Sequence, residues 1–477
     1  MQTFKKTKIV ATIGPTSSDE KLFTKMAMAG VNVVRFNFSH GDYKTHKDSL
    51  DMVRKVSQKL KQPIATLQDL SGPKIRTGDF KYGEVMLKRG KKITLTSKKI
   101  IGDENSVYVD YERLSEDVVR GTRILLDDGR RELKVLSTSK GKVLCSVVQG
   151  GLIKGRRGVS LPGVDLKTSS LTKKDLEDIK FGIQNNFDYV ALSFVRTGAD
   201  IKKLRSILKK GKSDAHVIAK IETVQGVKNI DEIIEESDGI MVARGDLAVE
   251  LPREEVPLIQ KKIIQKCNSA GVPVIVATQM LESMISALVP TRAEVSDVAN
   301  SILDGADAIM LSQETAYGEH PLEVVKEMAT VSRKVEGNLA YRLPMEKNIL
   351  KSKELQRNII IDAVTASAVR VAENVDAKVI VALTSSGITP RMISRYRPVQ
   401  PILALTSNEK ILNKMVLYYG CYSKEIHKFD YIIEAMDDVR KIILQNNLAK
   451  KGDKIVVVSS VPFANFVGTN SCMVEVI

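Results

Sequence analysis

A chain of 477 residues with 43% hydrophobic and 27% charged residues has globular composition, and its length implies two or three domains rather than one core. No stretch approaches the roughly 18–20 apolar residues of a membrane span, and the basic start Met1–Val10 runs into an apolar strand without a signal-peptide pattern, so neither a membrane nor export is expected. The net charge of +16 comes from dispersed lysines, with no Trp and only 5% aromatic residues, which predicts a solvated surface and a pocket for anionic substrates rather than a nucleic-acid partner.

The predicted elements repeat one phrase: a short β-branched apolar run, then an amphipathic helical pattern. The first run is Lys8–Gly14, followed by a helix at Asp19–Ala29; the second and third are Val31–Ser39 and Ile64–Leu70. Between Leu70 and Leu171 the texture changes. Lys92–Thr96, Val107–Tyr111, Ile124–Leu126, Glu132–Leu136 and Val143–Gln149 read as strands, with turns at Asp127-Asp128-Gly129 and Lys140-Gly141. This predicts a small all-β insert that leaves near Gly72-Pro73 and returns near Leu161-Pro162-Gly163. A helix at Lys173–Asn185 then resumes the phrase. The next runs are Tyr189–Phe194, His216–Glu222, Gly239–Arg244, Pro273–Gln279 and Ala308–Gln313, with helices at Val256–Ala270 and Ala293–Leu303. Continuous apolar runs are strands buried on both faces. An open doubly wound sheet is the alternative, but eight units favour a closed (β/α)₈ TIM barrel. Beyond Arg342-Leu343-Pro344, a helix at Asp362–Glu373 and strands at Lys378–Leu383, Ile402–Thr406 and Lys454–Ser459 predict an α/β C-terminal domain. The expected division is 1–72 and 168–343 for the barrel, 73–167 for the β-rich lid and 344–477 for the C-terminal domain.

A barrel of this kind carries function at the carboxyl ends of its strands. Period two puts Arg35, Asn37 and Ser39 on one face of the second run, and Lys220 and Glu222 on one face of the fifth. Charges inside a barrel are costly unless paired, so these groups make either a satisfied internal network or a site. Asp69 ends the third run, Arg244-Gly245-Asp246 the sixth, and Thr278 lies at the end of the seventh. Glu222 and Asp246 suit a magnesium ion, which takes a few carboxylates and leaves other positions to water and phosphate. Lys220 is placed to neutralise a moving phosphoryl group. Other chemistries find no support. Gly211-Lys212-Ser213 is not a phosphate loop, because Ser206 occupies the position of the required glycine. The five histidines form no ligand cluster, and Cys145, Cys267, Cys421 and Cys472 are scattered, so no zinc or disulfide framework is expected and a reducing cytoplasm fits.

The segments Thr12–Ser17 (TIGPTS), Val33–Gly41 (VVRFNFSHG), Ser71–Gly78 (SGPKIRTG), Lys220–Ile233 (KIETVQGVKNIDEI), Met241–Glu250 (MVARGDLAVE), Ala277–Met284 (ATQMLESM), Pro290–Asn300 (PTRAEVSDVAN) and Asp304–Gly318 (DGADAIMLSQETAYG) resemble the pyruvate kinase family in order and spacing. Thr384–Thr389 and Ile393–Pro398 extend the resemblance into the C-terminal domain; Ala248 and Pro390 depart from the family's usual glycine and alanine. The resemblance implies phosphoryl transfer from phosphoenolpyruvate to ADP, giving pyruvate and ATP. It implies Lys220, Arg35 and Thr278 as catalytic residues, with Gly245, Asp246, Ser193 and Phe194 also around the substrate. Asn37, His40, Arg76 and Arg157 are expected near the nucleotide. Glu222 and Asp246 are expected to hold Mg²⁺ or Mn²⁺, and Asn37, Ser39, Asp69 and the carbonyl of Leu70 to form the monovalent-cation shell. Ser312, or a water near Thr278, is the expected proton source for the enolate.

Members that need potassium usually carry glutamate where this chain has Lys74 and threonine where it has Leu70. A fixed ammonium at Lys74 predicts activity without K⁺. A homotetramer is expected, with a phosphorylated small-molecule effector on Thr384, Ser385, Ser386 and Thr389; a monophosphate is favoured because Val461–Ile477 has no Lys or Arg. Two rivals, a basic nucleic-acid-binding barrel and a phosphoenolpyruvate-using aldolase or lyase, fit less well. Lys220, Glu222 and Asp246 are intact, against the first, and the lid and C-terminal domain argue against the second.

Overall fold

The computed structural model describes residues 5–164, 166, 168–338, 359–429, 431–461 and 468–477. Strands β1 (Lys8–Thr12), β2 (Val31–Asn37) and β3 (Ala65–Asp69) open a barrel. The chain then makes β4 (Glu84–Leu87), β5 (Lys92–Thr96), β6 (Ser106–Tyr108), β7 (Arg123–Leu126), β8 (Arg131–Ser139), β9 (Lys142–Gln149), β10 (Gly151–Lys154) and β11 (Val159–Ser160). It returns to the barrel for β12 (Tyr189–Leu192), β13 (His216–Ile221), β14 (Gly239–Ala243), β15 (Val274–Ala277) and β16 (Ala308–Leu311). These eight parallel strands close in the order β1-β16-β15-β14-β13-β12-β3-β2, as the eight apolar runs predict.

Alternation divides each barrel strand between two cores. Ile9, Val34, Phe36, Val190 and Val217 face the helical ring, while Val10, Val33, Leu67, Tyr189, Ala191 and Ile218 fill the lumen. The helices start where capping residues satisfy their free N–H groups. Asp19 accepts from the Leu22 N–H, and Thr172 with Asp175 and Thr291 with Glu294 form capping boxes.

The insert has its own core around Leu95, Val107, Leu133 and Val143, under a six-stranded sheet ordered β11-β7-β8-β9-β5-β6 beside a β10-β4 pair. Its two crossings to the barrel lie side by side: the Thr77 N–H donates to the Arg157 carbonyl and the Val159 N–H to that of Ile75. Gly72, at φ +66°, lets the outgoing crossing turn hard against Ser193, where a Cβ would come within 2.8 Å. The short strands β4, β10 and β11 were not anticipated from the sequence.

The C-terminal sheet runs β19-β18-β17-β20-β21, with β17 (Ile380–Leu383), β18 (Ile402–Thr406), β19 (Cys421–Glu425), β20 (Lys454–Ser459) and an antiparallel edge strand β21 (Ser471–Val476). A 3₁₀ segment, Asn413–Leu417, reaches from this domain into the amino end of the barrel. There Met415, Leu417 and Tyr418 join the lumen cluster and close its floor. The expected domain limits at 167/168 and 343/344 involve residues outside those described.

Candidate active site

The carboxyl ends of β2, β3, β13, β14 and β15 bring the charged residues together. Lys220 is fixed at three points: its ammonium donates to the Ser193 hydroxyl at 2.7 Å and lies 3.0 Å from Glu222 Oε1 and 3.2 Å from Asp69 Oδ1. Asp69 also accepts from Arg35 Nε at 2.6 Å, and Arg35 Nη1 donates to the Thr12 hydroxyl. Ser193 in turn donates to the Leu70 carbonyl, and the Phe194 N–H donates to Glu222 Oε2.

Electrostatics follow from this packing. Burial opposes the charge on Lys220, but the Asp69 and Glu222 carboxylates outweigh it and hold the ammonium above its ordinary range. Burial likewise opposes ionisation of Asp69, and Lys220 and Arg35 outweigh it to pull that carboxyl down. Glu222 goes the other way: burial, with Asp246 beside it, raises its carboxyl against the pull of Lys220. Two carboxylates left in mutual repulsion by hard oxygen atoms are a donor set that fits a divalent ion. Among the described residues, no three His, Cys, Asp or Glu side chains gather as a metal cluster, so protein groups alone supply a partial shell.

Asp246 opens the helix Arg244–Glu250, directly after β14. Lys74, on the outgoing lid crossing, puts its ammonium 3.7 Å from Asp246 Oδ1. Lys74 and Asp246 line two recesses that meet here. One, of about 2470 Å³ with its mouth, also takes in Gly245, Thr278 and Ser312; the other, of about 1070 Å³, runs between lid and barrel past Phe194 and Glu222.

Thr278 stands at φ +68°, an uncommon conformation for a β-branched residue. Its carbonyl accepts from Arg244 Nη2 at 2.7 Å, its hydroxyl accepts from the Gly245 N–H at 2.8 Å, and Arg244 is itself tied to Asp297. Because the hydroxyl oxygen already accepts a bond, its proton is free to donate into the cleft.

The comparisons with known proteins agree along the chain. Residues 4–325 match the family described as pyruvate kinase, barrel domain, and residues 362–475 match pyruvate kinase, alpha/beta domain. The chain belongs to the pyruvate kinase family. A pyruvate kinase from Clostridium perfringens is 42% identical over 472 residues, spanning 98% of this chain and 99% of that protein. One from Geobacillus stearothermophilus is 43% identical, over 99% of this chain and 80% of that protein. A crystal structure of a pyruvate kinase from Cryptosporidium parvum matches with a TM-score of 0.93 at 34% identity, over 99% of this chain and 96% of that one. The pyruvate kinase reaction, phosphoryl transfer from phosphoenolpyruvate to ADP in glycolysis, is therefore the reaction of this chain, and its chemistry needs a divalent metal ion.

Of the residues expected around the pyruvate kinase nucleotide, His40 and Arg76 share one field with Arg35 and Lys74. Partial burial lowers the imidazole's pKa, and these three cations lower it further. Asn37 is partly exposed at the end of β2, its side-chain oxygen accepting from the Ser39 N–H. Arg157 lies on the returning lid crossing, 3.5 Å from Asp127. In the C-terminal loop, Thr384 and Thr389 are buried, their hydroxyls bonded to the Gly387 N–H and to Thr469, while Ser386 is exposed and Ser385 partly so. Residues 462–467, part of the segment expected to bear on effector choice, lie outside those described. Sequence reasoning missed the Arg244–Asp297 support of Thr278, although both residues stand inside motifs that carry the family resemblance.

Proposed function

We propose that Lys220, Arg35 and Thr278 carry the phosphoryl transfer, and that Glu222 and Asp246 hold the divalent ion, Mg²⁺ or Mn²⁺. The fixed ammonium of Lys220, held by Ser193, Asp69 and Glu222, is the observation that carries this reading. Phosphoryl transfer needs positioning and charge neutralisation more than a protein nucleophile. Arg35, braced by Asp69 and Thr12, grips the phosphoryl oxygens as they move from enol to nucleotide. Lys220 stands over the same oxygens and neutralises charge that builds in the transition state. The Gly245 backbone, Thr278 and the Ser193–Phe194 turn hold the pyruvate end. A bound divalent ion supplies Lewis-acid neutralisation of the phosphoryl and enolate oxygens. Thr278, whose hydroxyl proton is free, and Ser312, on the same recess, are the candidates for passing a proton to the enolate carbon. Asn37, His40, Arg76 and Arg157 receive the nucleotide phosphates, and the lid insert closes over them to exclude water.

The same reading extends to the cations, the assembly and the domain plan. Lys74, within ion-pair distance of Asp246, supplies the positive charge that potassium gives other members. Part of the monovalent shell is engaged internally: the Asn37 side-chain oxygen accepts from the Ser39 N–H, Asp69 Oδ2 accepts from Arg35 while Oδ1 lies 3.2 Å from the Lys220 ammonium, and the Leu70 carbonyl accepts from Ser193. The protein acts in the cytoplasm as a homotetramer; exposed apolar side chains at Leu258, Leu288, Val289 and Tyr317 and the edge position of β21, with Val474 and Val476 exposed, support association between copies. The barrel comprises 1–72 and 168–343, the lid 73–167, and the C-terminal domain 344–477. A monophosphate effector would meet the Ser385 and Ser386 hydroxyls and nearby backbone N–H groups.

The test is activity and Mn²⁺ affinity against metal concentration for Glu222→Gln and Asp246→Asn. Each variant is expected to need on the order of 10- to 100-fold more metal. Unchanged metal curves in both would remove these residues as the ion's ligands.

A further inference from the structure

We propose that the seam between the barrel floor and the C-terminal domain binds one small monovalent inorganic anion. The place is the amino end of the barrel, opposite the catalytic end. A small recess, about 190 Å³ with its open mouth, lies there, with Asn268 and Asp307 on the barrel side and Arg391, Ser394, Arg395 and Tyr418 on the other. Arg391, Arg395 and Arg397 bring three guanidinium groups to this seam. Arg395 pairs with Asp362 at 2.7 Å, and Arg397 grips both oxygens of Asp307 at 2.6 and 3.0 Å. Among the described residues, the Arg391 guanidinium has no hydrogen-bond or ion-pair partner. Three cations against two carboxylates leave one positive charge over.

The hydrogen-bond count points the same way. The Nε–H groups of Arg391, Arg395 and Arg397 are all buried without an acceptor, and Arg395 is only 4% exposed. Buried donors are almost always satisfied, so orphaned ones call for a water or an ion. Arg391 is partly exposed, so water could meet its donors, but an anion in the recess would meet the donors and the unpaired charge together. The neighbouring protein groups do not balance that charge. Asp307 is saturated by Arg397 and by the Tyr419 and Val274 N–H groups. Lys414 is paired with Asp214. Burial pushes His216 down to about 4, so near neutral pH it adds no charge, and burial keeps the Tyr418 hydroxyl protonated and available as a donor. The enclosed part of the recess is about 10 Å³, the size of a single small occupant, so one ion takes the place of one water there.

The anion would tie the domains together. Arg391 and Arg395 belong to and directly follow the helix Ile388–Ser394, which begins just after the Thr384–Gly387 loop. Occupancy of the recess therefore holds that helix against the barrel through the Arg391 charge.

Two measurements on the full chain test this. Crystals soaked in sodium bromide should show an anomalous difference peak in the recess within hydrogen-bonding distance of Arg391 or Arg395. Thermal unfolding should show a higher midpoint in bromide or chloride than in gluconate, too bulky to enter, at matched ionic strength. In Arg391→Met, which keeps the bulk and removes the charge, the peak and the halide-specific part of the shift should both disappear. The absence of a bromide peak in the wild-type recess would overturn the proposal, and so would an equal halide response in wild type and variant. If Arg391→Met does not fold, the wild-type peak alone decides.

Discussion

At the scale of single residues, the site depends on a threonine held where threonines rarely sit. Thr278 keeps φ +68° because Arg244 takes its carbonyl and Gly245 its hydroxyl. Arg244→Lys retains the charge but loses the planar fork that reaches Asp297 and Thr278 together. We expect kcat to fall on the order of 10- to 100-fold, with little change in the melting point, because a small misplacement at a reacting group costs about that much. An equal rise in KM with kcat unchanged would show that Arg244 serves only binding. Lys74 makes a second residue-scale prediction. The wild type should turn over equally well in potassium and tetramethylammonium at matched ionic strength, and Lys74→Glu should acquire a potassium response. Several-fold stimulation of the wild type by potassium would contradict it. The pairing of Lys220 with Glu222 was legible in the sequence, because alternation alone puts residues two apart on one face. The Arg244–Thr278 bond was not, because it joins neighbouring strand ends 34 residues apart, and alternation says nothing about which strand ends meet.

At the scale of elements, legibility followed burial. The eight barrel strands are buried on both faces over most of their length and read as short, largely apolar runs, with polar residues mainly toward their carboxyl ends. The missed strands carry weaker signals. Strand β19 spells Cys-Tyr-Ser-Lys-Glu, and β21, at the sheet edge, is nowhere fully buried. The 3₁₀ segment Asn413–Leu417 has no periodicity to announce it, yet it closes the barrel floor. Its Met415 is fully buried among lumen side chains. Met415→Ala should therefore destabilise the chain by about 2–5 kcal/mol, the usual cost of emptying such a site. Chemical denaturation checks this, and a loss under about 0.5 kcal/mol, the level of surface substitutions, would mean that the segment is not structurally committed to the barrel.

At the scale of the molecule, three textures in the sequence correspond to three packed units. The barrel has its ring and lumen cores, the lid has a separate core, and the C-terminal sheet packs its helices on both faces. What the sequence left open was how the units meet. The side-by-side lid crossings, the plugged barrel floor and the arginine-rich seam all join residues far apart in the chain. Each depends on tertiary geometry that local patterning does not encode. The catalytic groups gather on one end of the barrel, and Lys220 is where their contacts converge. The most direct measurement is the steady-state turnover of Lys220→Met with phosphoenolpyruvate, ADP and saturating Mn²⁺, alongside Mn²⁺ binding and the melting curve of the same protein. Turnover is expected to fall by ~10²–10⁵ while the variant stays folded and still binds Mn²⁺; turnover within a few-fold of wild type would contradict the assignment of Lys220 to the transition state.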